Sequence, residues 1–175
     1  TYAPNSGNVQ NWRFIVVREK ENKDKVIKAC EEQYWAMNAP VLIVVCSDTE
    51  KIRRLFGIRG EALYSVQNCA AAIENMLLKA YELGLGGAWI GAFDETKLKE
   101  ILEITGEIRP QAVLVLGFGD DYEIKPSREP LNNVVYFEKY GKIEDKVRGK
   151  LTPGIDILKK SLGKIVDKTK NIKLK

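Results

Sequence analysis

The chain has 175 residues, 45% of them hydrophobic and 30% charged, which suits one soluble globular domain with a sizeable buried core. It contains no histidine, and its three cysteines, Cys30, Cys46 and Cys69, are widely separated with no CxxC spacing; this argues against His-based hydrolysis, zinc ribbons, iron–sulfur clusters and disulfide frameworks. The net charge of +4 sits in the tail, because residues 142–175 hold 11 Lys/Arg against 4 Asp/Glu and leave residues 1–141 at −3, so nucleic acid is not an expected partner.

The first stretch, TYAPNSGNVQNW, sets a turn-forming run, Pro4-Asn5-Ser6-Gly7-Asn8, against amides and an indole. It offers many hydrogen-bonding groups beside a flat apolar surface, which suits a planar, polar-edged ligand as well as an ordinary loop. Arg13–Val17 then reads as a strand, and 21–34 as a helix with Val26, Ile27 and Cys30 inward. The β-branched run Val41–Cys46 reads as a central strand; its region is too short to cross a bilayer. Thr49–Phe56 follows as a short helix or turn.

The strongest helical signal spans 59–83. Leu63, Val66, Ala70, Ile73, Leu77 and Ala80/Tyr81 form a stripe widened by Ala71, Ala72 and Met76, so burial on more than one side is expected, centrally or in a subunit interface. Gly84 suits the position past its C-terminus. Asp94 can cap a helix over 95–105, with Leu98, Ile101 and Leu102 facing the core. Gln111–Leu116 reads as a strand and Val134–Phe137 as a last strand-like run. In the basic tail, Thr152-Pro153 begins an amphipathic helical pattern that packs on its own body or on another subunit.

Two segments invite chemistry. GLGGAWIG (Gly84–Gly91) is not a dinucleotide fingerprint, because a helix precedes its glycines and a strand, 88–93, follows. It can bring bare backbone close to a flat ligand, or serve as a helix C-cap and tight turn. Arg128, between Pro126 and Pro130, offers a planar fork suited to phosphate, or a solvated surface charge; Lys125 is similar.

Taken in order, PNSGNVQNW (Pro4–Trp12), NAPVLIVV (Asn38–Val45), LGLGGAWIG (Leu83–Gly91) and VLVLGFGDDYEIKPSREPLNNVVYFEKYG (Val113–Gly141) resemble the FMN-dependent nitroreductase family. The resemblance covers nearly all of residues 1–141. It implies an α+β fold, with a central, mainly antiparallel sheet flanked by helices and two subunits interlocked as a homodimer around two interfacial FMN sites. On that basis 1–141 is the FMN-binding domain and 142–175 a basic amphipathic extension. Cofactor contacts are implied for Pro4, Asn5, Ser6, Asn8 and Gln10, for Gly86, Gly87 and Ala88 at the reactive edge of the ring, and for Arg128 at the phosphate. Asn5 stands where the family usually has Ser, and Asn11 where it has a second Pro. Trp12 is assigned to packing beneath the loop.

The implied reaction needs no catalytic side chain: NAD(P)H delivers hydride to flavin N5, and the reduced flavin passes electrons to a small electron-poor acceptor, by a ping-pong mechanism. The alternative is a non-catalytic flavin-binding or interaction protein on the same fold, its basic tail docking a partner. A cytoplasmic location is expected, and a membrane is not an expected partner. Family members normally carry an Arg-Arg-Ser-x-Arg-like segment that grips the FMN phosphate, and this sequence starts after the matching point; with such a segment ahead of it, an ordinary site is expected. If the chain begins at Thr1, Arg128 is expected to face that phosphate almost alone.

Overall fold

The structure is a computed structural model describing residues 1–31, 33–119 and 126–143. The chain divides into two compact units, residues 1–121 and 122–175. The first is built on a four-stranded sheet of β1 (Trp12–Val17), β2 (Val41–Asp48), β3 (Gly86–Ile90) and β4 (Ile108–Gly117). The strand order is β1-β2-β4-β3. All three pairings are antiparallel, as expected for this sheet.

The two central strands are buried on both faces, which explains why they read as continuous apolar runs. Leu42, Val44 and Cys46 of β2 and Val113 and Val115 of β4 face one core layer, shared with Val26 and Ile27 of α1 (Lys20–Lys28) and Leu98 of α4 (Glu95–Ile101). Val45, Ala112 and Leu114 face the other, shared with Trp12 and with Cys69, Ala72 and Ile73 of α3 (Ser65–Glu82). Such alternation along one strand follows from the two-residue period of the pleat. The register of β2 on β4 slips between Val45 and Cys46, leaving Gln111 as the extra residue of a bulge.

Several expectations need correction. The helix over 21–34 ends at Lys28, and a separate 3-10 turn covers Tyr34–Asn38. The strand expected over 88–93 begins earlier and ends at Ile90. Val134–Phe137 is not a strand: Leu131–Val134 forms a short helix, α5, started by Pro130, whose fixed φ favours a first turn. The tail pattern after Thr152 lies outside the described residues, as does Lys125.

The long helix is also interrupted. α2 (Thr49–Arg59) contains Gly57 at φ 59°, ψ −151°, a conformation open essentially to glycine alone. A π turn, Gly60–Tyr64, then joins α2 to α3. A Cβ on Gly60 would lie 2.7 Å from Phe56 Cβ and 2.8 Å from the Ile52 carbonyl oxygen. Backbone cannot yield as a side-chain tip can, so Gly60→Ala is expected to cost about 1–3 kcal/mol, read as a lower urea midpoint at unchanged slope.

The buried stripe of α3 is rotated from the expected one. Ser65, Asn68, Cys69, Ala72, Ile73 and Ala80 pack inward, while Val66, Leu78 and Tyr81 remain 43%, 59% and 78% exposed. Apolar residues cover more of this helix than the one side its own sheet buries, with Gln67, Glu74, Asn75, Lys79 and Glu82 forming the polar remainder.

Candidate functional site

The N-terminal loop is held in two layers. Its outer layer, with Asn8 and Gln10 exposed and Asn5 half-buried, is tied together by amides: Gln10 N donates to Asn5 Oδ1 at 3.0 Å, and Gln10 Nε2 donates to Asn8 Oδ1 at 3.0 Å. Asn5 Nδ2 donates to the Ala3 carbonyl at 3.3 Å. Gly7, Asn8 and Gln10 all have positive φ, at 55°, 55° and 49°. For Asn8 and Gln10 this is a sparsely populated conformation, and such backbone persists only where its surroundings hold it. The Phe56 ring covers Gly7 so closely that a Cβ there would lie 2.9 Å from its Cζ.

The buried layer anchors that display. Ala3, Val9 and Trp12 are buried, and Trp12 packs beneath the loop as expected. The Ser6 amide and hydroxyl both donate to Asn68 Oδ1 of α3, at 3.0 and 3.2 Å. Asn68 Nδ2 donates to Asn11 Oδ1 at 2.7 Å, and Asn11 Nδ2 donates to Ser47 Oγ of β2 at 2.9 Å. Asn11, standing where a second Pro is usual, thus serves as a buried relay. Asn68 was not singled out in the sequence: it falls outside the apolar stripe expected for this helix, on the side of Asn75 and Lys79, so no local pattern marked it for burial.

The glycine-rich segment is the start of β3, an edge strand. Gly86 pairs with Gly117, and a Cβ on Gly86 would meet only main chain, Gly117 O at 3.5 Å and Gly119 N at 3.7 Å. Bare backbone is therefore presented at that end of the sheet. Gly87 faces inward, where a Cβ would come within 2.8 Å of Leu77 Cδ2. Ala88 packs against the first core layer. Exposed main chain and exposed amides fit, in kind, the flat ring and polar edge of a flavin.

These two surfaces do not meet within one chain. Trp12 pairs with Ser47 and Ser47 with Arg109, which places the loop at the start of β4; Gly86 pairs with Gly117 at its end. Arg109 and Gly117 are eight steps apart, or about 26 Å at about 3.3 Å per residue. α3 gives a similar length, since Asn68 bonds the loop near its first turn and Glu82 at its end leads to β3. Arg128 belongs to the second unit, where it is exposed and its Nη1 donates to the Ser127 carbonyl at 3.3 Å.

The titratable groups describe a site without a side-chain nucleophile. Burial pushes the thiols of Cys30, Cys46 and Cys69 up to about 11, 12 and 12, with Lys99 opposing the shift at Cys46 and Cys46 adding to it at Cys69. Protonated and buried, they are inert at neutral pH. Asp94 is held below the usual carboxylate range, first by the Lys97 backbone N–H it caps and then by the Lys97 side chain. No group of His, Cys, Asp and Glu suited to a metal ion occurs among the described residues. Nor is any helix among them long and apolar enough to cross a membrane.

Comparison with known proteins gives a concordant result. The model of the Nitroreductase family matches residues 1–36 and 28–119. An Archaeoglobus fulgidus protein, provisionally named NADH dehydrogenase/NAD(P)H nitroreductase, is 37% identical over 123 residues, covering 68% of this chain and 67% of its own. The FMN reductase (NAD(P)H) of Bacillus subtilis is 30% identical over 151 residues, covering 79% of this chain and 61% of its own. The crystal structure of a nitroreductase family protein from Clostridium difficile 630 superposes with a TM-score of 0.67 at 29% identity, over 78% of this chain and 79% of that one. The chain spans roughly three fifths to two thirds of the first curated relatives it matches. A family model matching nearly all of the first unit, relatives at 30% and 37% identity, and a superposing solved structure converge on one conclusion: the chain belongs to the nitroreductase family.

Proposed function

We propose that the protein is an FMN-dependent oxidoreductase that takes electrons from NAD(P)H and passes them to a small electron-poor acceptor, working as a homodimer. The observation that carries this reading is the division of the flavin-compatible surfaces between the two ends of one sheet. Asn5, Asn8 and Gln10 would hold the polar edge of the cofactor, supported by Pro4 and Ser6. Gly86, Gly87 and Ala88 of a second copy would approach the ring with main chain, and Arg128 would hold the phosphate. The exposed Val66, Leu78 and Tyr81 of α3 supply an apolar face for that second copy, in keeping with membership of the same family as the relatives above. The flavin-binding domain would extend to residue 141.

When bound, FMN supplies two-electron chemistry that no side chain of this protein can provide. The protein's own task is to display N–H donors and exclude competing nucleophiles, which the buried, protonated thiols satisfy.

The test is an anaerobic absorption titration of the purified full chain with FMN, followed by NADH or NADPH. Flavin quenched on binding and bleached by either nucleotide is the expected result. Flavin that binds but is bleached by neither would favour the non-catalytic alternative. Failure to bind FMN in the chain preceded by an Arg-rich segment would overturn the flavin reading itself.

A further inference from the structure

The hydrogen bonds beneath the loop link four residues: Ser6 in the loop, Asn68 on α3, Asn11 before β1 and Ser47 near the end of β2. Asn68 is 3% exposed, and Asn11 and Ser47 are fully buried. Asn68 is the branch point: its oxygen accepts twice from Ser6, while its nitrogen donates inward. The loop's other ties to the body of the fold are Ala3 and Val9 packed inside, Gly7 against Phe56, and Asp48 N donating to the Asn11 carbonyl at 2.7 Å; the remaining bonds run within the loop itself. Yet it maintains positive φ at three positions. An isolated loop would relax out of that conformation.

We propose that Asn68 is a positioning residue for the cofactor: it touches no ligand but fixes the loop conformation in which Asn8 and Gln10 present their amides outward and the half-buried Asn5 braces the Gln10 backbone. The cofactor part of this inference rests on the flavin reading above; the loop part stands without it. A merely core-filling Asn68 would affect stability alone. A positioning Asn68 must control the order of residues 3–11 in the cofactor-free protein and the affinity for FMN.

The chemistry supplies a discriminating variant. Asn68→Asp keeps the oxygen that accepts from Ser6. The Asn11 amide can turn so that its Nδ2 donates to the new carboxylate and its Oδ1 accepts from the Ser47 hydroxyl. The anchor therefore survives Asn68→Asp and is lost in Asn68→Ala.

The experiment compares wild type, Asn68→Ala and Asn68→Asp in the full chain by amide hydrogen exchange without cofactor and by flavin-fluorescence titration with FMN. For Asn68→Ala, exchange over 3–11 is expected to rise at least about 10-fold while β2 and β4 stay protected, and FMN binding to weaken by about 10-fold or more. Asn68→Asp is expected to restore both to within about 3-fold of wild type. Unchanged loop exchange in Asn68→Ala, or no rescue in a folded Asn68→Asp, overturns the proposal. If wild type fails to bind FMN, the flavin reading falls and the exchange comparison alone decides whether Asn68 orders the loop. Should Asn68→Ala not fold, Ser6→Ala, which removes one of the two donors, is expected to raise loop exchange about 3-fold; wild-type exchange there would overturn the proposal.

Discussion

Between pH 8 and pH 10 the protein is expected to lose about 4 kcal/mol of stability through its thiols alone. Burial raises Cys30 from 9.0 to about 11, and Cys46 and Cys69 from 9.0 to about 12. A raised pKa means that the folded state favours the protonated thiol. Below pH 9 both states hold the proton and the contribution is whole. Above it the unfolded chain releases protons that the folded chain retains, so stability falls as pH rises towards 11–12. Each thiol then loses about 1.4 kcal/mol per pH unit, against a typical total of roughly 5–15 kcal/mol. Urea denaturation in reducing buffer checks this, with the triple variant Cys30→Ala/Cys46→Ala/Cys69→Ala as reference. Tyrosines and lysines titrate in both proteins, so the difference between the two slopes isolates the cysteines. Parallel slopes would show that the thiols reach solvent in the folded state.

Leu114→Ala is the second large effect, at about 2–5 kcal/mol. Leu114 is fully buried in β4, one of the two central strands, within the layer that holds Trp12, Val45, Cys69, Ala72 and Ile73. Truncation removes buried methyl groups and leaves a cavity between sheet and α3, where rigid neighbours on both sides limit collapse. The same truncation at Leu55, 65% exposed on α2, is expected to stay within about 0.5 kcal/mol in the monomer. Equilibrium unfolding of both variants measures the contrast. Equal costs would mean either that the Leu114 site repacks fully or that Leu55 is buried by another copy.

Much of this fold was legible because its strongest elements obey local rules. The β-branched run at Val41–Cys46 is a strand buried on both faces, and a run of that kind has few other stable destinations. Asp94 caps α4 through Lys97 N, and Gly84 takes φ 75° past α3. What failed depended on context. Asn133–Val134 lies beside Pro130, and the choice between a helical turn and a strand there turned on one residue's φ. The rotated stripe of α3 shows a second limit: its apolar residues spread over a wide arc and fix no single inward direction, so the sheet beneath it chose Ser65, Asn68 and Cys69 over Val66. The exposed amides of the candidate site were visible as a composition. Their anchor was not, because Asn68 lies more than fifty residues from both Ser6 and Asn11 and only the tertiary fold joins them.

A sheet with one half of its candidate site at each end has a thermodynamic corollary. If the loop of one chain completes the glycine edge of another, cofactor loading and subunit association become a single equilibrium, each strengthening the other by the same factor. Dilution then acts as a release signal. A cell that lowers the amount of this protein lowers the loaded fraction of every remaining molecule as well, and occupancy follows abundance more steeply than simple proportion.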